Sequence, residues 1–141
     1  MAARFPLIVD GSGTPAIKEI VSGDVLDLTG LQVKLGTEAT LTDGATVAWD
    51  VSASPIAKLT LGGNRTLSAP TNAVGSGQYI SLLVIQDGTG SRTLTWNAAY
   101  EFTADTAPTL TTTANYGDLF TFRYNGTKWL EVGRNLNLVL S

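Results

Sequence analysis

The side chains of this chain suited to chemistry are carboxylates, hydroxyls and aromatics, because the sequence contains neither histidine nor cysteine. Their absence removes the commonest general base, the commonest metal ligand and the thiol nucleophile together, and a Ser/His/Asp triad is impossible. Carboxylate chemistry, a Ser/Lys pair and an oxygen-ligand metal site remain. Asp43 and Asp50 are the pair to weigh for glycoside hydrolysis, which needs two carboxylates flanking a sugar bond in a concave groove. Asp43 belongs to a Thr42-Asp43-Gly44 turn and Asp50 closes a strand face beside Trp49, so their neighbours favour a turn role. Asp87-Gly88-Thr89-Gly90-Ser91 resembles a phosphate cradle in composition, but it lacks a third glycine and leads into a strand instead of a helix N-terminus. Asp24, Asp27 and Asp87 could lend carboxylates to calcium, yet no local loop supplies the six to eight oxygens that ion takes in general.

Asn64-Arg65-Thr66 and Asn125-Gly126-Thr127 match the glycosylation sequon and read better as turns. Trp49, Trp96 and Trp129, with Tyr79, Tyr100, Tyr116 and Tyr124, offer rings for stacking on sugars. All three tryptophans fall in strands whose inward face needs bulk, so core packing is the favoured role. The residues therefore point to no catalytic, cofactor-binding or metal-binding group, and to a protein that is not an enzyme.

The elements that carry these residues are strands. A chain of 141 residues with 43% hydrophobic and only 15% charged residues suits one domain, or a domain plus an arm, and argues against disorder. Its polarity comes mostly from Thr, Ser and Asn, which suits a surface that packs against neighbours. The nine Lys and Arg are scattered and the net charge is −3, which predicts no nucleic-acid partner. No window approaches the roughly 20 apolar residues of a membrane span, and no export signal is expected at the N-terminus. A host-cytoplasmic site of synthesis, without membrane contact, fits the cysteine-free composition.

Val47, Trp49 and Val51 alternate with polar residues, as do Ala57, Leu59 and Leu61, giving half-buried strands at period two. Tyr79 to Gln86 is apolar on both faces, with Ile80, Leu82 and Val84 on one and Tyr79, Leu83 and Ile85 on the other. Such a strand is central in a sandwich or faces a partner subunit. Gly62-Gly63-Asn64-Arg65 and Asp87-Gly88-Thr89-Gly90-Ser91 interrupt apolar runs in the manner of hairpin tips. Asn125-Gly126 is the strongest hairpin signal; a two-residue loop there sets Phe122 opposite Trp129 and Arg123 opposite Lys128, and those facing cations leave a longer loop open. Thr40-Leu41-Thr42, Thr93-Leu94-Thr95 and Thr109-Leu110-Thr111 read as recurring strand wording and not as a true repeat. Together these signals predict an all-β fold, an antiparallel, jelly-roll-like β-sandwich.

Gly62-Gly63-Asn64-Arg65-Thr66-Leu67, Gln86 to Trp96 and Tyr124-Asn125-Gly126-Thr127-Lys128-Trp129 resemble a β-sandwich module of tailed-bacteriophage fibres and minor virion proteins. Ala3 to Asp10, with Ile17-Lys18-Glu19-Ile20, is similar to the start of phage structural proteins. The resemblance implies a virion location on the capsid surface or tail, binding in place of catalysis, and a homotrimer. It also implies an N-terminal segment that docks on the particle, against the major capsid protein or another virion protein. The division expected is residues 1–36 as an extended N-terminal arm and 37–141 as the β-sandwich domain. Phe5, Leu7, Ile8 and Val9 are the candidate docking residues, and Tyr79, Leu83 and Ile85 the candidate subunit interface. The alternative for residues 1–36 is a first strand pair of the same sandwich. With no heptad shaft before the β-module, a capsid decoration (cement) protein is the favoured role, and a short tail fibre or receptor-binding knob the alternative.

Overall fold

The computed structural model of the chain describes Leu7–Val9, Pro15–Ile17 and residues 36–140. Two units result, Met1–Val33 and Lys34–Ser141. In the first, strand β1 (Leu7–Val9) pairs antiparallel with β2 (Pro15–Ile17), Leu7 opposite Ile17. Phe5, Asp24, Asp27 and the leucine-rich stretch from Leu26 to Leu35 lie outside the described residues.

The second unit is all-β, as expected, but it is a β-solenoid of about three turns with mixed sheets and not a jelly-roll sandwich. Each coil contributes one strand to each of two sheets. β3 (Ala39–Thr40) and β4 (Thr46–Val47) form the first coil, β5 (Ile56–Leu61) and β6 (Arg65–Leu67) the second, β7 (Tyr79–Gln86) and β8 (Leu94–Trp96) the third. Pairing runs between coils: β3, β5 and β7 are parallel neighbours in one sheet, β4, β6 and β8 in the other. The glycine-rich stretches at 62–65 and 87–91 are therefore corners, not hairpin tips. They turn the chain so that β5 faces β6, and β7 faces β8, through side chains, while the backbone groups bond to the coils above and below.

Period-two alternation makes this arrangement work. Val47, Leu59, Leu61, Leu67 and Leu82 are fully buried between the sheets, and such burial contributes about 1.5–3 kcal/mol per side chain. Inward positions stack in columns: Ala57 beside Leu82, which lies beside Phe120, and Val47 beside Leu67, which lies beside Trp96.

Beyond the third coil the chain crosses β9 (Tyr100–Glu101) and a single 3-10 turn at Thr103–Asp105, then forms a long hairpin of β10 (Tyr116–Tyr124) and β11 (Trp129–Val139). β10 runs antiparallel to β7 and completes a six-stranded sheet in the order β3-β5-β7-β10-β11-β9. The hairpin register differs from the two-residue expectation: Tyr124 faces Trp129, Arg123 faces Leu130, and Phe122 faces Glu131. The reason lies in Asn125, whose Oδ1 accepts the backbone N–H of Thr127 at 2.9 Å and of Lys128 at 2.7 Å, while Gly126 takes φ +101°. This side-chain-capped turn spans Asn125 to Lys128 and removes the Arg123–Lys128 confrontation.

Candidate functional site

The carboxylates singled out by type hold the solenoid's corners. Asp43, in the first corner, receives Nε and Nη2 of Arg65 from the second, each at 2.7 Å. That two-pronged contact holds the Asp43 carboxyl below its ordinary range. Asp50 lies past the far end of β4, where Ser52 and Asn72 donate to it and likewise lower its pKa. Each carboxylate is thus committed to tying its coil to the next.

Asp87 explains the phosphate-like composition of the third corner. Its Oδ1 accepts the N–H groups of Thr89 and Gly90, both at 2.9 Å, and its Oδ2 accepts Nε and Nη2 of Arg92. The amides a phosphate would use are occupied by the chain's own carboxylate. Arg92 and the two amides hold that carboxyl down to about 2. Gly90 is required here: it has φ +76°, and a Cβ would meet the Thr112 carbonyl at 2.5 Å. Of the sequon asparagines, Asn125 holds its turn as described above, and Asn64 ties its corner to the next coil by accepting the Thr93 N–H at 3.0 Å. Among the described residues no cluster of three acidic side chains converges as a metal site would need.

The tryptophans pack in the core. Trp49 and Trp129 are 1% and 2% exposed, and Trp96 meets Tyr100, Phe102 and Phe120 edge-on at centroid distances of 5.0–5.3 Å. Burial raises the Tyr100 hydroxyl far above its ordinary range.

The most distinctive exposed region is the outer face of the six-stranded sheet. Strand β7 turns Ile80, Leu82 and Val84 inward and leaves Tyr79, Leu83 and Ile85 outward, Tyr79 half exposed and the other two partly buried. Leu119 on β10 lies opposite Leu83, and Ile56 on β5 opposite Ser81. Pro55, Ile56, Tyr79, Ser81 and Thr121 line an apolar groove of about 330 Å³. The three proposed interface residues are thus brought together on one face. Of the docking residues, Leu7, Ile8 and Val9 form β1, and Phe5 is outside the described residues.

This β-fold coincides with a family match. Residues 37–129, from just before β3 to the first residue of β11, match the model of the "Putative phage tail fibre C-terminal domain". The chain belongs to that family. It is a virion structural protein of a tailed phage. The match supports the tail fibre reading over the capsid-decoration reading. Among curated proteins and among solved structures, none matches the chain.

Two side chains that organise this tail fibre domain escaped notice in the sequence. Gln86, 2% exposed, accepts the Arg92 N–H at 2.8 Å and donates to the Arg92 carbonyl at 3.0 Å, so its amide acts as a short strand bridging the corner. Asp118, also 2% exposed, accepts the N–H of Thr111 at 2.7 Å, its hydroxyl at 2.6 Å and the N–H of Asn137 at 2.9 Å. Both carried a readable signal. Asp118 shares the inward parity of Phe120 and Phe122, and a lone carboxylate at a core-facing position demands partners.

Proposed function

We propose that this chain is a non-enzymatic structural module at the C-terminal end of a tail fibre, acting as a homotrimer that packs through the outer face of its six-stranded sheet. The tail location rests on the family match over residues 37–129. Self-association is supported by the outward apolar side chains Ile56, Tyr79, Leu83, Ile85 and Leu119, which stand among Lys58, Ser81 and Thr121 on that face, and the number three is what the resemblance to phage fibre modules implies. The low charge of the chain favours the same reading. Residues Phe5, Leu7, Ile8 and Val9 serve as a docking segment toward another virion protein. The partners are protein surfaces, with neither nucleic acid nor membrane involved.

Two measurements test this. Sedimentation of the purified chain is expected to give the mass of three copies; a stable monomer at micromolar concentration overturns the trimer. Counting copies per particle separates the two virion locations: a few copies place the protein on the tail, whereas hundreds restore capsid decoration.

A further inference from the structure

The third corner and the long connection between β9 and β10 meet in a cleft of about 220 Å³ that has no part in the assembly face. Its floor is apolar, formed by Leu94 and Leu110, both more than nine-tenths buried, and by Pro108. Ser91, Thr93, Thr109 and Thr112, all exposed, also line it, and none of their hydroxyls makes a hydrogen bond among the described residues. Arg92 forms one wall with its charge already balanced by Asp87 at 2.9 Å.

The walls are held before any ligand arrives. Asp87 folds the corner through the amides of Thr89 and Gly90, and Asp118 pins the opposite loop through Thr111. The Ser91 N–H donates to the Thr112 carbonyl at 2.8 Å, and the Asn115 N–H to the Asp87 carbonyl at 3.2 Å, tying one loop to the other. A cleft built this way loses little ordering entropy on binding.

From this we infer that the cleft binds a single neutral pyranose ring. Hydroxyls that both donate and accept suit a polyhydroxylated ligand, and the leucine–proline floor suits the C–H face of a sugar ring. The balanced Arg92–Asp87 pair offers no net charge to an anion. No aromatic side chain lines the cleft, so a planar base has nothing to stack on. Its volume is below the roughly 300–1,000 Å³ of sites for drug-sized ligands, which limits the occupant to one ring.

The test is a titration of the isotope-labelled chain with the methyl pyranosides of glucose, galactose and mannose, following backbone amides by NMR. Glucuronate and cyclohexanol serve as the charged and hydroxyl-free comparisons. At least one neutral pyranoside is expected to shift the amides of Ser91, Thr93, Thr109 and Leu110 saturably, with a dissociation constant of about 1–10 mM. Thr93→Val and Thr109→Val, both at exposed positions, should each weaken that binding about 2–10-fold while the remaining spectrum stays unchanged. The inference is overturned if no neutral pyranoside moves these amides by about 100 mM, roughly ten- to a hundredfold above the dissociation constant expected. It is equally overturned if glucuronate or cyclohexanol binds as well, or if both valine variants bind undiminished.

Discussion

The solenoid has two outer faces, built by the same alternation and opposite in chemistry. On the six-stranded side, Tyr79, Leu83 and Ile85 look outward beside Ile56 and Leu119. On the three-stranded side, Thr46, Thr66 and Thr95 stand in register, all exposed, while Val47 and Leu67 between them are fully buried. Both sheets satisfy their core in the same way, so the core does not dictate what faces out. Threonine keeps β propensity without adding apolar surface, which leaves its sheet at ease in water. Leucine, isoleucine and tyrosine on the other sheet are left with surface that folding of one copy does not cover.

Substitutions can break this contrast. The largest effect is expected from Leu83→Asp combined with Ile85→Asp, which should abolish association in sedimentation, whereas Thr66→Asp on the other face should leave it intact. Equal effects of the two would remove the distinction between the faces. Next in size is Phe120→Ala, which empties the core beneath the apolar face. It is expected to cost about 3–5 kcal/mol in urea unfolding, with the oligomeric state kept wherever the fold persists.

Asp118→Ala sharpens the contrast further, because Asp118 belongs to the six-stranded side alone. Stranding the Thr111 amide, and leaving the Asn137 N–H with the Thr111 hydroxyl as its remaining acceptor, is expected to cost about 1–3 kcal/mol. Hydrogen exchange should rise at those two amides and stay unchanged at Thr66 and Thr95. The smallest effect belongs to the rim joining the faces. Asp87 is held at about 2 in the folded chain, against an ordinary value of 3.8, so it binds protons less readily folded than unfolded. Its stabilising contribution is complete above about pH 4 and is lost as pH falls toward 2. The lowered Asp43 and Asp50 act in the same direction. Calorimetry should show Tm dropping across that window, and Asp87→Asn should make the drop shallower.

Which residues face inward was legible because alternation is local: Val47, Trp49 and Val51, then Ala57, Leu59 and Leu61, then Ile80, Leu82 and Val84 are all buried as their spacing predicts. Which strand each one pairs with was not. Gly62-Gly63-Asn64-Arg65 reverses the chain equally well whether the flanking strands meet through backbone or through side chains, and only the coil above decides between them. The coils also differ in loop length, so stacked positions recur at no constant interval. Thr66 and Thr95 lie further apart in sequence than Thr46 and Thr66, although each pair is adjacent in space. Asn125-Gly126 marked the hairpin correctly, but its register depended on the Asn125 side chain capping the turn. That Tyr79, Leu83 and Ile85 share the outward face of β7 was legible from a strand apolar on both sides; the cleft at the third corner was not, since its two walls are distant in sequence.

A parallel stack of coils carries no instruction to stop. Each new coil leaves a fresh row of backbone groups like the one it covered, the condition under which chains lengthen into fibrils. β10 supplies the instruction. By running antiparallel along β7 from Gly117 to Arg123, it takes up the row on which a fourth coil of that sheet would have grown. The strand beyond it, β11, has its register with β10 broken at two points and carries β9 only at Trp129 and Leu130, and such an interrupted strand is a poor template for copying. The reversed hairpin thus acts as a terminator, giving a repetitive architecture a fixed length.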